Sequence, residues 1–191
     1  MRHGVIGGSG FIGSHIVDKL VGQGHEVTVF DVMRPQREDV RHIHIDITDT
    51  AKTAVAEAGG YDAIFMVAAM ADANDVFNNP TEATLVNVAG VANVLEAARR
   101  TGIGRVILAS TIWIYDLARE EEVDEETPLH IDMARHVYTA SKVAAEMLCH
   151  GYHSLYDLPF TILRYGIPYG PDIIFLADYL FEILRSPLSV K

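Results

Sequence analysis

Near the start of the chain stands the stretch Gly7-Gly8-Ser9-Gly10-Phe11-Ile12-Gly13. A short apolar strand beginning at Val5 precedes it, and apolar residues at helical spacing follow it. Between a strand and a helix, Gly7 permits a tight turn, Gly10 lets the backbone approach a pyrophosphate, and Gly13 lets the helix pack close to the sheet. The N-terminus of that helix offers backbone N–H groups to phosphates. The stretch therefore predicts a dinucleotide-binding turn.

Strand and helix patterns alternate along the rest of the chain. Predicted strands cover residues 26–30, 41–45, 62–67, 105–109 and 160–163, and long helices cover about residues 81–100 and 136–152. Near-continuous apolar strands separated by helices require a parallel sheet that is covered on both faces. We therefore predict an α/β protein with a doubly wound parallel sheet, the Rossmann fold, over residues 1–171. Ligands of such sheets bind beyond the carboxyl ends of the strands.

An acidic residue follows the second predicted strand. Asp31 stands at the end of this strand, where a carboxylate can accept hydrogen bonds from both hydroxyls of a ribose and repel a 2'-phosphate. We therefore predict NAD as the cofactor. Arg34 and Arg37 lie near enough to leave NADP as an alternative, although solvated loop cations are the simpler interpretation.

Three polar residues alternate along the third predicted strand and its end. His42, His44 and Asp46 could share a face, as metal ligands do. Alternate residues of an exposed strand face are often polar, however, and the sequence signals no further ligand. We therefore predict no metal site.

A second motif, Tyr138-Thr-Ala-Ser-Lys142, lies on the second long predicted helix. Residues four apart share a helix face, so this spacing presents a phenol and an ammonium to one pocket. Lowering the pKa of a phenol from about 10 to neutrality takes roughly 4 kcal/mol, which a lysine and a positively charged nicotinamide together can supply. The motif thus predicts Tyr138 as a base. The alternative is a half-buried tyrosine beside a surface lysine.

Charge and apolar patterning exclude several classes of protein. The formal net charge of -11 argues against a surface for nucleic acid or for an anionic membrane. Much of that charge lies in residues 119–128, which we interpret as a solvated loop. The longest apolar run, residues 63–71, is too short to span a membrane, and the first predicted strand leaves no room for a signal peptide. We expect a cytoplasmic protein.

With these motifs in place, the chain resembles the extended short-chain dehydrogenase/reductase family, especially its nucleotide-sugar epimerase and dehydratase branch. Besides the glycine stretch and the Tyr-x-x-x-Lys motif, three further segments are similar to the family's and occur in the same order: residues 86–99, 109–115 and 163–171. The resemblance covers nearly the whole chain.

The resemblance implies roles for individual residues. Thr111 would hydrogen-bond the reacting sugar oxygen, Tyr138 would be the acid/base, and Lys142 would also bind the nicotinamide ribose. The cofactor-binding residues that it implies are Phe11 and Ile12 at the pyrophosphate, Asp46 and Ile47 at the adenine, Ala68 and Ala69 at the middle of the cofactor, and Asn87 in support.

The function implied is that of an NAD-dependent epimerase acting on a nucleotide sugar, similar to UDP-glucose 4-epimerase. The resemblance also implies a homodimer that pairs through the helices at 81–100 and 136–152. An NAD-linked sugar dehydrogenase or reductase is an alternative, and so is a non-catalytic NAD-binding subunit. Retention of Thr111, Tyr138 and Lys142 together argues against the last.

Departures from the family narrow the chemistry. Ile112 and Trp113 stand where dehydratases and decarboxylases of the branch usually carry acids, which disfavours elimination. Ile167 replaces an asparagine that contacts substrate in many members, so the identity of the sugar stays open. An amphipathic helix expected over residues 175–184 is similar to the start of the family's smaller lobe. We interpret residues 172–191 as the beginning of a truncated substrate-binding lobe.

Overall fold

The computed structural model describes residues 1–49 and 59–170. The helix expected over residues 175–184 and the lobe expected over residues 172–191 lie outside these ranges. Within them, no helix combines the length and the apolar character that crossing a membrane requires.

The described residues form one sheet of six parallel strands. In chain order these are β1 Arg2–Ile6, β2 Glu26–Asp31, β3 Arg41–His44, β4 Ala63–Met66, β5 Val106–Thr111 and β6 Phe160–Tyr165. Their order across the sheet is β3-β2-β1-β4-β5-β6. The order reverses between β1 and β4, which opens a crevice at the carboxyl ends of these two strands. The predicted doubly wound α/β fold is confirmed.

The helices include one that was not predicted, at residues 73–78; the others lie where they were predicted, although some of their ends differ. They are α1 Phe11–Gly22, α2 Ala73–Asn78, α3 Pro80–Thr84, α4 Val91–Thr101 and α5 Val137–Tyr156. A π-helical segment, Leu85–Gly90, joins α3 to α4, so the helix predicted at 81–100 is continuous but not regular. Helix α5 runs past Gly151 to Tyr156, and the next residue, Asp157, has φ 54°. One exposed glycine costs a helix roughly 1 kcal/mol, which a packed face offsets.

The core lies on both faces of the sheet, because neighbouring residues of a strand point to opposite sides. Val5 of β1 packs in a cluster with Leu20 of α1. Ile6, the next residue, belongs to a larger cluster that includes Leu95 of α4 and Cys149 of α5. Because of this two-sided packing, β1 and β2 are buried along almost their whole length, including the polar side chains of His3 and Thr28.

Candidate active site

A cavity of about 740 Å³ lies at the carboxyl ends of the strands, a size typical of small-molecule sites. Its walls come from the start of α1, the segment after β4, the end of β5 and the start of α5. Among the residues that line it are Ile12, Ala69, Thr111, Trp113, Tyr138 and Lys142. The fold therefore brings the glycine stretch and the Tyr-x-x-x-Lys motif to one cavity.

The three glycines differ in the space around them. Gly7 has φ 82°, and a Cβ there would lie 2.5 Å from the backbone nitrogen of Ala68. A Cβ at Gly13 would overlap the carbonyl oxygen of Gly7, so α1 can approach the turn only without a side chain. A Cβ at Gly10 would meet nothing closer than 3.5 Å. Gly10 is exposed, and no described side chain caps the N-terminus of α1.

The acid at the end of β2 is tied to the glycine turn. The carboxylate of Asp31 accepts the backbone N–H of Ser9 at 2.9 Å and that of Met33 at 2.9 Å. Arg37, one of the two cations that left NADP open, binds Asp18 at 2.9 Å and Asp39 at 2.5 Å. These hydrogen bonds raise the pKa of Arg37 and engage its guanidinium within the protein.

The residues implied to contact the adenine face different surroundings. The Asp46 carboxylate accepts the backbone N–H and the hydroxyl of Thr48, and these bonds hold its pKa below the usual range. The side chain of Ile47 is buried in the core, where a Cβ at Gly90 would touch it. Ile47 can therefore offer a ligand only its backbone.

Asn87 supports the segment after β4. It lies in the π segment with 1% of its surface exposed. Its amide donates to the carbonyl oxygen of Met70 at 2.9 Å and accepts the N–H of Met70 at 2.8 Å, and it also donates to the hydroxyl of Ser141. Asn87 thus fixes the backbone that follows Ala68 and Ala69. A π-helical turn often marks a functional site.

Thr111, Tyr138 and Lys142 meet at the cavity. Thr111 ends β5, and its hydroxyl oxygen accepts the N–H of Trp113 at 3.2 Å, at the start of the 3₁₀ helix Ile112–Leu117. The phenol of Tyr138 faces the side chain of Thr111, which acts to lower the pKa of the phenol. The ammonium of Lys142 donates to the carbonyl oxygen of Ala109 at 3.0 Å and lies 5.8 Å from the centre of the Tyr138 ring.

The electrostatics of the phenol differ from the expectation. Burial raises the pKa of Tyr138, and the side chain of Thr111 opposes this. Burial also lowers the pKa of Lys142 to about 8, against the opposing charge of Glu146. The protein's own groups therefore raise the pKa of the phenol, whereas the motif predicted that they would lower it. Burial is the main cause, and the ammonium of Lys142 is directed at the carbonyl of Ala109 and not at the phenol.

Several residues of the site were not identified from the sequence. The ring nitrogen Nδ1 of His136 accepts the N–H of Tyr138 at 3.1 Å and so caps α5. Ser110, which lines the cavity, and Glu146 are both buried and are hydrogen-bonded to each other. A signal for Glu146 was present in the sequence, since it follows Lys142 by four residues on the same helix face.

On β3, the strand with the two alternating histidines, His42 makes a contact that supports the sheet. His42 Nε2 lies 3.1 Å from the carbonyl oxygen of Asp31. Residues 1–49 and 59–170 hold no group of three or more side chains that could bind a metal ion.

Comparison with known proteins decides the family. A family model described as the NAD dependent epimerase/dehydratase family matches residues 4–179. The chain belongs to this family. Membership confirms the resemblance seen in the motifs and confirms NAD as the cofactor of the family.

The chain is similar to both epimerases and decarboxylases. It is 29% identical over 187 residues to a probable UDP-glucuronate 4-epimerase of Rhizobium meliloti, covering 90% of this chain and 54% of the relative. It is 33% identical over 178 residues to a UDP-N-acetyl-alpha-D-glucosaminuronate decarboxylase of Bacillus cytotoxicus, covering 87% of this chain and 54% of the relative.

A solved structure agrees with the fold over most of the chain. The UDP-glucose 4-epimerase of Thermus thermophilus, in complex with NAD, superposes with a TM-score of 0.79 at 34% identity, covering 90% of this chain and 57% of that one. The chain spans about half the length of the curated relatives it matches.

Proposed function

We propose that the protein acts as an NAD-dependent epimerase of a nucleotide sugar, with a reaction similar to that of UDP-glucose 4-epimerase. The observation that carries the proposal is the meeting of Thr111, Tyr138 and Lys142 at a cavity that also includes Phe11 and Ile12 of the glycine stretch. The relatives named as UDP-sugar epimerases support the substrate class.

The residues present fit a dinucleotide. Gly10 leaves space above the N-terminus of α1, where backbone N–H groups favour a pyrophosphate. Asp31 places a carboxylate at the end of β2, where a ribose binds in this type of sheet. When bound, NAD supplies the hydride acceptor and, in its oxidised form, a positive charge that favours the phenolate.

In the proposed reaction, Tyr138 removes the proton of a sugar hydroxyl while Thr111 hydrogen-bonds the same oxygen. The carbon that bears this oxygen loses a hydride and becomes a ketone. The ketone then turns its other face to the cavity and regains the hydride, and Tyr138 returns the proton to the oxygen. The ammonium of Lys142, 5.8 Å from the centre of the Tyr138 ring, holds the cofactor's ribose, and the positive nicotinamide is the charge that favours the phenolate.

The segment after Thr111 favours epimerisation over elimination or decarboxylation. Elimination needs a further acid or base beside the sugar. Ile112 and Trp113 follow Thr111, and Trp113 lines the cavity with an indole that cannot transfer a proton at neutral pH. The acids that line the cavity among the described residues, Asp72 and Asp75, lie at the start of α2 and not beside Thr111, and Asp72 accepts the N–H groups of Asn74 and Asp75 as the N-cap of that helix.

We also propose that a Rossmann domain of residues 1–171 is followed by the beginning of a substrate-binding lobe, and that the protein is a homodimer. The exposure of Leu85 on the π segment and of Met147 and Leu155 on α5 supports pairing through these helices. The composition supports a cytoplasmic location.

The test is an assay of the complete gene product with NAD and, in turn, UDP-glucose, UDP-galactose and UDP-glucuronate. We expect interconversion of 4-epimers with no accumulation of NADH. NADH formed in step with product would indicate a dehydrogenase, release of CO₂ a decarboxylase, and NAD binding without conversion a non-catalytic subunit.

The variant Tyr138→Phe identifies the base. We expect turnover to fall by about 10²–10⁴-fold, because only the proton acceptor is lost. The affinity for NAD, measured by calorimetry, should be retained because the ring's packing is kept. A variant with a tenth or more of the wild-type turnover would remove Tyr138 from the mechanism.

A further inference from the structure

A buried carboxylate lies one helical turn beyond Lys142. Glu146 is 5% exposed, yet both of its oxygens are hydrogen-bonded. It accepts the hydroxyl of Ser110 at 2.5 Å, the Nε–H of Arg164 at 3.2 Å and an Nη2–H of Arg164 at 2.9 Å. An ion in the interior is tolerated only with such a set of partners.

Helix α5 contacts three consecutive residues of β5 through three side chains spaced one turn apart. These contacts are Tyr138 with Thr111, Lys142 with the carbonyl of Ala109, and Glu146 with Ser110. Glu146 therefore belongs to the same row of contacts as the two residues that were assigned chemical roles.

Arg164 connects this row to the segment that follows Thr111. It lies on β6 directly opposite Ser110 in the sheet register. Its Nη1 donates to the hydroxyl of Tyr115 at 2.8 Å and to the carbonyl oxygen of Glu125 at 3.4 Å. The guanidinium thus faces Glu146 on one side and the 3₁₀ helix on the other. Glu146 is the one acidic residue of α5, and it follows Lys142 by one helical turn.

The Lys142 ammonium needs such a charge. Its one hydrogen bond to a described residue runs to a neutral carbonyl, at Ala109, and the side chain is buried. Burial lowers its pKa to about 8, and the charge of Glu146 is the influence that raises it again. Removing the charge of Glu146 would therefore lower the pKa of Lys142 further.

We propose that Glu146 is a positioning residue of the site, whose carboxylate, held by Arg164 and Ser110, keeps Lys142 charged and directed along β5. The inference rests on the proposed function for its effect on turnover. The expected effect on NAD affinity does not depend on the proposed function, because the ammonium of Lys142 is the group assigned to the cofactor's ribose.

Other titratable groups surround Lys142. They come from α5 and its N-cap, from β6, from the 3₁₀ helix through Arg164, and from the cavity wall after β4: His136, Tyr138, Glu146, Arg164, Tyr165, Tyr115, Asp72 and Asp75. Of these, Glu146 alone is both fully buried and paired within the row of contacts to β5.

The experiment compares wild type with Glu146→Gln, which keeps the shape of the side chain and an acceptor for Ser110. NAD affinity is measured by calorimetry across pH, and kcat is measured with the active sugar. In wild type, both quantities should fall at alkaline pH as Lys142 loses its proton; we call this part of each pH profile its alkaline limb. In Glu146→Gln, we expect both alkaline limbs to move to lower pH by about one unit, with KM at neutral pH changed less than about threefold.

Two further variants make the result decisive. Glu146→Asp keeps the charge and should keep the wild-type alkaline limb. Glu96→Gln is the matched control, because Glu96 also holds arginines, at 2.9 and 2.5 Å, but on α4 and away from Lys142. It should leave both profiles unchanged. If Glu146→Gln fails to fold, the double variant Glu146→Gln with Arg164→Gln is compared with Arg164→Gln alone, because the cation of Arg164 opposes the effect of Glu146 on Lys142. The loss of NAD binding at alkaline pH should then begin at lower pH in the double variant than in Arg164→Gln.

The outcomes separate the two proposals. Alkaline limbs that coincide with wild type in the folded Gln variant, for NAD binding and for turnover, overturn the role of Glu146. A wild-type NAD affinity that does not fall at alkaline pH overturns it as well. If the wild-type protein converts no UDP-sugar but its NAD-binding limb moves in Glu146→Gln, the proposed function fails and the role of Glu146 stands.

Discussion

Among single residues, Asp31 has two tasks at one position. Its carboxylate holds the N–H groups of Ser9 and Met33, and so joins the glycine turn to the end of β2. The same negative charge lies where a ribose is expected, and the neighbouring Arg37 is bound to Asp18 and Asp39. The charge at this position should therefore reject a 2'-phosphate.

Asp31→Asn removes that charge while keeping an oxygen that accepts a backbone N–H. We expect the preference for NAD over NADP to shrink by about tenfold, because repulsion of the 2'-phosphate is lost. Calorimetry with both cofactors measures the ratio. Glu26→Gln, which removes a charge at the opposite end of β2, should leave the ratio unchanged, and equal wild-type affinities would disprove the role of Asp31.

The sequence identified the residues that stand in recognisable motifs and missed those whose partners are distant. Tyr138 and Lys142 follow from a spacing of four, and Thr111 from the resemblance of its segment. Glu146 has the same spacing from Lys142, but a buried and an exposed acid look alike in a helical pattern. Its burial depends on Arg164, and that pairing exists only through the register of β5 and β6.

At the scale of elements, strand ends and helix irregularities were the least predictable features. Strands β5 and β6 run two residues beyond the predicted ends, since the pairs Ser110↔Arg164 and Thr111↔Tyr165 continue the ladder through polar residues. The π segment Leu85–Gly90 leaves the apolar pattern of the long helix intact, so periodicity does not reveal it. Both features place functional side chains, and both depend on backbone pairing that a sequence pattern does not show.

The close approach of α1 to the glycine turn gives a prediction about stability. Gly13→Ala inserts a methyl group against the carbonyl of Gly7, and the turn must shift to accept it. We expect the free energy of unfolding to fall by roughly 1–3 kcal/mol and NAD binding to weaken. Gly22→Ala is the control in the same helix, because a Cβ there has nothing within 4 Å.

Thermal and urea unfolding measure both glycine variants. The alanine at position 22 should be neutral or stabilising by up to about 1 kcal/mol. Equal stabilities of the two variants would contradict the idea that α1 needs Gly13 in order to pack.

For the whole molecule, the exposed apolar side chains of α5 suggest how copies assemble. Met147 is 65% exposed and Leu155 is 73% exposed, and both lie on the same helix. The double variant Met147→Glu with Leu155→Glu should shift the protein from dimer to monomer in sedimentation or light scattering, because burying the new charges is costly. Phe77→Glu, at an equally exposed position on α2, should not change the mass. A wild-type protein that is monomeric at high concentration would disprove the dimer.

The burial of Cys149 has a consequence for the chemistry of the folded protein. This thiol is the only one in the chain, and it lies on the buried face of α5, in the core. Burial raises its pKa to about 12. Alkylating reagents and oxidants attack the thiolate, so the folded protein should resist both. Cys149 becomes reactive only when α5 separates from the sheet, and the same separation moves Tyr138, Lys142 and Glu146 out of place. The rate at which this thiol is labelled should therefore report the rate at which the active site is disrupted.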